Sequence, residues 1–90
     1  MSKSVLIIDD SKTMRKIITR TLRQAGVNFE TIEEADDGQM ALDQLAQSKP
    51  DLILCDINMP NMDGLTFLQH KSEDASIKDI PVVMITTEGG

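Results

Sequence analysis

The sequence predicts an α/β domain, a doubly wound parallel sheet. Three apolar runs carry that expectation: VLII at 5–8, LILC at 52–55 and VVMI at 82–85. Each runs directly into polar or acidic residues, Asp9-Asp10, Asp56 and Thr86 in turn. Helical patterns separate the runs. Short, wholly apolar runs alternating with helices are what strands buried on both faces of a parallel sheet look like. The alternation also implies right-handed crossovers. In such a sheet the carboxyl ends of all strands share one edge, where ligands bind. Three carboxylates and a hydroxyl, distant in sequence, are thereby expected in one crevice.

Residues 4–9 read as the first strand. Ser11 offers a helix N-cap. Met14, Ile17, Ile18, Thr21, Leu22 and Ala25 follow at helical spacing, with Gly26 as a C-terminal stop. Residues 29–35, FETIEEA, form a weaker strand whose acidic content suits an exposed edge. Asp36-Asp37-Gly38 makes a turn into a helix over about 38–47, with Met40, Ala41, Leu42 and Leu45 inward. Lys49-Pro50 closes it, because the residue before proline disfavours helix. Residues 51–55 are the third strand. The loop from Ile57 to Gly64 contains Pro60 and an Asp63-Gly64 turn signal. A third helix over about 64–71 carries Leu65, Phe67 and Leu68. Residues 72–80 read as a polar connection, and Pro81 opens a fourth strand, 82–86, where its missing N–H costs least.

Composition narrows the function. Ninety residues allow one small domain, which buries only about 60–65% of its unfolded surface and is marginally stable. A net charge of −6 argues against direct contact with nucleic acid or an anionic membrane. Without Trp or Tyr, and with only two Phe, a stacking surface for bases or sugars is not expected. Cys55, the single cysteine, cannot form an internal disulfide and lies inside an apolar run. That suits a reduced, cytoplasmic setting. No export signal or membrane span is expected either.

The aspartates are the chemistry. Singly, Asp9 or Asp10 reads as well as a helix cap favoured by the helix dipole, and Asp56 as an ordinary turn residue. Jointly they say more. Adjacent like charges repel unless a cation intervenes, and Asp56 would lie one strand over on the same edge. Asp10 and Asp56, with a backbone carbonyl near Asn58, would suit Mg²⁺, which prefers a few carboxylates plus phosphate oxygens. A carboxylate can also be a nucleophile that forms an aspartyl phosphate. The metal would offset charge on the transferring group, and Thr86 could hydrogen-bond a phosphate oxygen. Alone, Thr86 is equally a β-branched strand residue.

Other residues have blander readings. His70 reads as a solvated surface residue. Met59, Met62 and Met84 read as loop and core packing, and Cys55 as a buried strand residue. Lys12, Arg15, Lys16, Arg20 and Arg23 make the first helix basic; the default is a solvated face, with docking of an acidic kinase domain as the sharper alternative.

VLIIDDS, EADDGQMAL, DLILCDINMPNMDGL and IPVVMITTE resemble receiver domains of two-component response regulators, closest in style to the single-domain chemotaxis type. The resemblance covers nearly the whole chain, in order and spacing. It implies a flavodoxin-like sheet of order 2-1-3-4. It also implies that Asp56 is the phosphoacceptor for a phosphohistidine of a sensor histidine kinase. Asp10 would be a direct Mg²⁺ ligand, with Asp9 acting largely through water. The Asn58 main chain would be a further ligand, Thr86 the switch hydroxyl, and Glu88 and the Asn58 side chain would tune hydrolysis of the phosphate. A downstream effector protein is the implied second partner.

The family pattern continues with a further helix, strand and helix, and with a Lys at the end of that strand, none of which lies in residues 1–90. A receiver domain truncated after its fourth strand is therefore expected. Its strand 82–86 becomes an apolar edge that predicts self-association or partial folding. Two competing functions stand beside the leading one. The first is an incomplete half-domain that binds partners or self-associates without accepting phosphate. The remoter one is a Mg²⁺-dependent phosphatase of the haloacid-dehalogenase type, although here the two aspartates are adjacent rather than separated by one residue.

Overall fold

The structure, a computed structural model, describes residues 3–57, 59 and 62–85. Its elements are β1 (Ser4–Ile8), α1 (Lys12–Gln24), β2 (Thr31–Ala35), α2 (Gly38–Leu45), β3 (Leu52–Asp56), α3 (Gly64–Glu73) and β4 (Val82–Ile85). The strands form one parallel sheet of order β2-β1-β3-β4. The apolar runs predicted the parallel sheet and the resemblance its order; the acidic strand β2 lies at one edge, as expected.

Alternation along β1 and β3 divides the core in two. Leu6, Ile8, Ile53 and Cys55 face one side, packing with Ala41, Leu45 and Phe67 of α2 and α3. Val5, Ile7 and Leu54 face the other, against Ile18 and Leu22 of α1. Both central strands are thus buried on both faces, which is why they are apolar throughout. β4 forms the opposite edge, and Val83 is half exposed there.

Several local expectations change. Asp37 and Asp63 are N-caps as well as turn residues. Their carboxylates accept the Met40 and Thr66 amides at 2.8 Å each, so each aspartate starts the helix that follows it. Burial and hydrogen bonding place some apolar residues differently from the periodicity. Ile17, Met40 and Leu65 are exposed, whereas Ala41, Leu45 and Phe67 are buried and Leu42 packs against them, as expected. Residues 74–80 are not simply a polar connection, because Ile77 is buried in the core. Asp74 organises this turn. Its carbonyl accepts from Ile77 and Lys78, and its carboxylate from Ser76. Lys71 is buried too, its ammonium donating to the Lys78 carbonyl at 2.9 Å.

Candidate functional site

The register brings the aspartates together. Ile8 pairs with Cys55 across β1 and β3, so Asp9 and Asp56, one residue further along each strand, arrive at the same level. Asp9, Asp10 and Asp56 each bring one carboxylate oxygen within 4.8 Å of the others. Asp9 and Asp56 are buried, and Asp10 is exposed. Asn58, Thr86 and Glu88, the other site residues expected from sequence, lie outside the described residues.

Asp9 is held tightly. Its amide donates to the Ala35 carbonyl at 3.1 Å. One side-chain oxygen, Oδ1, accepts the Ser11 amide at 2.8 Å. Ser11 in turn caps α1, its hydroxyl accepting the Met14 amide. The other oxygen, Oδ2, is buried and has no hydrogen-bond partner among the described residues. Burial pushes the Asp9 carboxyl above its ordinary range, opposed by the Ser11 hydrogen bond and reinforced by Asp56 and Asp10 nearby. A buried, unpartnered carboxylate oxygen is costly. Placed beside two more carboxylates, it is the donor set that a hard divalent cation takes. The residues present therefore fit such a cation.

Behind Asp56 the backbone is close-packed. Gly64 donates its amide to the Ile57 carbonyl at 2.9 Å, and a Cβ on Gly64 would lie 2.5 Å from the Asp56 carbonyl oxygen. Only glycine lets the start of α3 approach the end of β3 this closely. Cys55 is fully buried, its thiol pushed up to about 12 chiefly by burial and then by Asp56 and Asp9. That makes it a core residue and not a redox group.

One residue that touches the site escaped the sequence reading. Arg15 is not part of a solvated face. It is 8% exposed, ion-pairs with Glu34 at 2.7 Å and Asp36 at 2.9 Å, and donates to the Asp9 carbonyl. Its neighbours Lys16, Arg20 and Arg23 remain exposed and line a groove with Thr19 and Glu34 that contains none of the aspartates.

The response regulator receiver domain matches residues 5–90. The chain belongs to that family. It is 42% identical to chemotaxis protein CheY1 of Helicobacter pylori over 87 residues, covering 96% of this chain and 68% of the relative. It is 43% identical to chemotaxis protein CheY-3 of Vibrio cholerae over 84 residues, covering 93% of this chain and 63% of the relative. This receiver sequence thus spans about two thirds of the length of the relatives it matches. Among solved structures it resembles the CheY4 chemotaxis protein of Vibrio cholerae, with a TM-score of 0.83 at 34% identity over 100% of this chain and 72% of that one. A response regulator of Chloroflexus aurantiacus gives 0.86 at 30% identity, over 100% and 71%. Receivers are signalling modules, so the family assignment replaces the phosphatase alternative. No helix among the described residues is long and apolar enough to cross a membrane.

Proposed function

We propose that this chain is a phosphoacceptor module of a two-component system. The reading rests above all on the Asp9–Asp10–Asp56 cluster, with its buried Asp9 oxygen, unpartnered among the described residues, beside the end of β3. An oxygen of the Asp56 carboxylate attacks phosphorus of a phosphohistidine on a sensor histidine kinase. A P–O bond forms, the P–N bond breaks, and the imidazole leaves with the electron pair. Asp10 and Asp56, with the Asn58 carbonyl, would hold Mg²⁺, with Asp9 acting mainly through water. A bound Mg²⁺ would offset charge on the phosphoryl oxygens. Thr86 contacts the phosphate and transmits the change in charge, while the Asn58 side chain and Glu88 tune hydrolysis.

The module assists its own phosphorylation and dephosphorylation but is not a metabolic enzyme. It works in the cytoplasm, away from nucleic acid and membranes, passing its state to an effector protein. β4, an edge of the sheet among the described residues and with Val83 half exposed, would also support pairing with a second copy.

Intact mass spectrometry after incubation with Mg²⁺ and a small-molecule phosphodonor tests this reading. One phosphoryl adduct is expected on the wild-type chain and none on Asp56→Asn. A folded, Mg²⁺-binding chain that gains no adduct would instead support a module that binds partners without accepting phosphate.

A further inference from the structure

We propose that Arg15 is a positioning residue for the acidic cluster, setting its affinity for a divalent cation by fixing the Asp9 main chain. The inference rests on the cation reading above. Its starting point is a contradiction in charge. A buried guanidinium lies against the backbone of a residue that belongs to a cation site. By Coulomb's law alone, a fixed positive charge there repels Mg²⁺ and weakens its binding. The geometry gives it a different task.

The Arg15 fork joins three segments that meet at the site. It donates to the Asp9 carbonyl, pairs with Glu34 on β2, and pairs with Asp36 in the turn leading to α2. Glu34 and Asp36 are both exposed, so they hold Arg15 without being buried themselves. The planar guanidinium suits this role because its donors diverge at fixed angles. Charge-assisted bonds to two carboxylates add strength.

The consequence falls on Asp9. Its amide is bonded to Ala35, its carbonyl to Arg15, and Oδ1 to the Ser11 amide. Every polar group of Asp9 is thereby pinned except Oδ2, which is left buried and without a hydrogen-bond partner among the described residues. Removing the Arg15 fork frees the peptide plane between Asp9 and Asp10, and so both carboxylates at once. A cation site depends on outer groups that orient its ligands, and losing one typically weakens binding about 10–100-fold.

Charge and positioning predict opposite signs, which makes the test sharp. The ¹⁵N-labelled 90-residue chain is titrated with Mg²⁺, following the Asp9, Asp10 and Ser11 amide resonances. Arg15→Ala is expected to weaken binding by about tenfold or more, although it makes the site more negative. Lys16→Ala, which removes an exposed charge one residue away, is expected to leave binding unchanged or slightly tighter. Arg15→Lys, which keeps the charge and loses the fork, is expected to fall between wild type and Arg15→Ala. In the metal-free chain, hydrogen exchange at the Ser11 amide is expected to quicken in Arg15→Ala.

A well-dispersed Arg15→Ala spectrum with binding equal to or tighter than wild type overturns the inference and leaves the cation reading intact. If Arg15→Ala loses its dispersed spectrum, Arg15→Lys decides, and wild-type affinity there overturns the inference. A wild-type chain that binds no Mg²⁺ removes the cation reading, and this inference with it.

Discussion

Gly64→Ala should be the most damaging glycine substitution in the described chain, and the reason is geometric. The added Cβ would lie 2.5 Å from the Asp56 carbonyl oxygen, 2.7 Å from Met84 Cε and 2.9 Å from Ile57 Cα. Met84 can swing aside, but two of the three neighbours are backbone. Relief requires moving the start of α3 away from β3, stretching the 2.9 Å bond from the Gly64 amide to the Ile57 carbonyl. Overpacking of this kind costs about 1–3 kcal/mol. Each kcal/mol shifts the thermal midpoint of a domain this size by about 4–8 °C, against a total stability of about 5–13 kcal/mol. The same displacement moves the Asp56 main chain, so phosphoryl transfer should fall as well. Two other glycines calibrate the scale. Gly26 has φ +80° with nothing within 4 Å of a Cβ, so Gly26→Ala should cost about 1–2 kcal/mol through backbone strain alone. Gly38 faces only the Met62 side chain, at 2.9 Å. A flexible thioether yields easily, and alanine favours helix over glycine by about 0.5–1 kcal/mol, so Gly38→Ala should be nearly neutral. Urea unfolding followed by far-UV circular dichroism gives the order. A Gly64→Ala chain no less stable than Gly38→Ala would refute the close-approach argument.

Three further outcomes follow from the site and core. Replacing the buried Asp9 carboxylate by Asp9→Asn removes a buried charge that Asp56 and Asp10 repel, and should stabilise the metal-free chain at neutral pH by on the order of 1 kcal/mol while sharply reducing stabilisation by Mg²⁺; thermal melts with and without the metal check both. Burial raises the Asp9 folded pKa above the ordinary 3.8, so its contribution to metal-free stability is full below that value and is lost as pH rises through the raised one. Mg²⁺ selects the ionised form, so calorimetric affinity should increase with pH over that same range. The Cys55 thiol, fully buried and pushed up to about 12, should resist iodoacetamide at pH 8 in the folded chain and react on unfolding; rapid alkylation of folded protein would contradict its place in the core.

The sheet was legible because β1 and β3 are buried on both faces, so their sequences contain little but Val, Ile, Leu and Cys. The acidic crevice was legible for a related reason: an aspartate directly after such a strand has nowhere to go but the carboxyl edge. Arg15 was not read, because an arginine in a basic helix looks solvated. The signal was present in two halves. Arg15, Ile18 and Leu22 share the inward helical spacing, and Glu34 on β2 with Asp36 in the turn after it can neutralise a buried cation. Periodicity alone also overcounted the inward residues. A helix against a sheet buries a narrow stripe, so Ile17, Met40 and Leu65 stayed outside it. Ile77 was missed because the surrounding residues are polar. The Asp74 turn brings it back against the core.

The most direct test of the central claim is to locate the phosphoryl group. After reaction with Mg²⁺ and a small phosphodonor, borohydride reduces an aspartyl phosphate to homoserine, which peptide mass spectrometry can place by residue. Homoserine at position 56 and at neither 9 nor 10 is the expected result. Homoserine at position 9 or 10, or none in a folded chain that binds Mg²⁺, would contradict Asp56 as the phosphoacceptor.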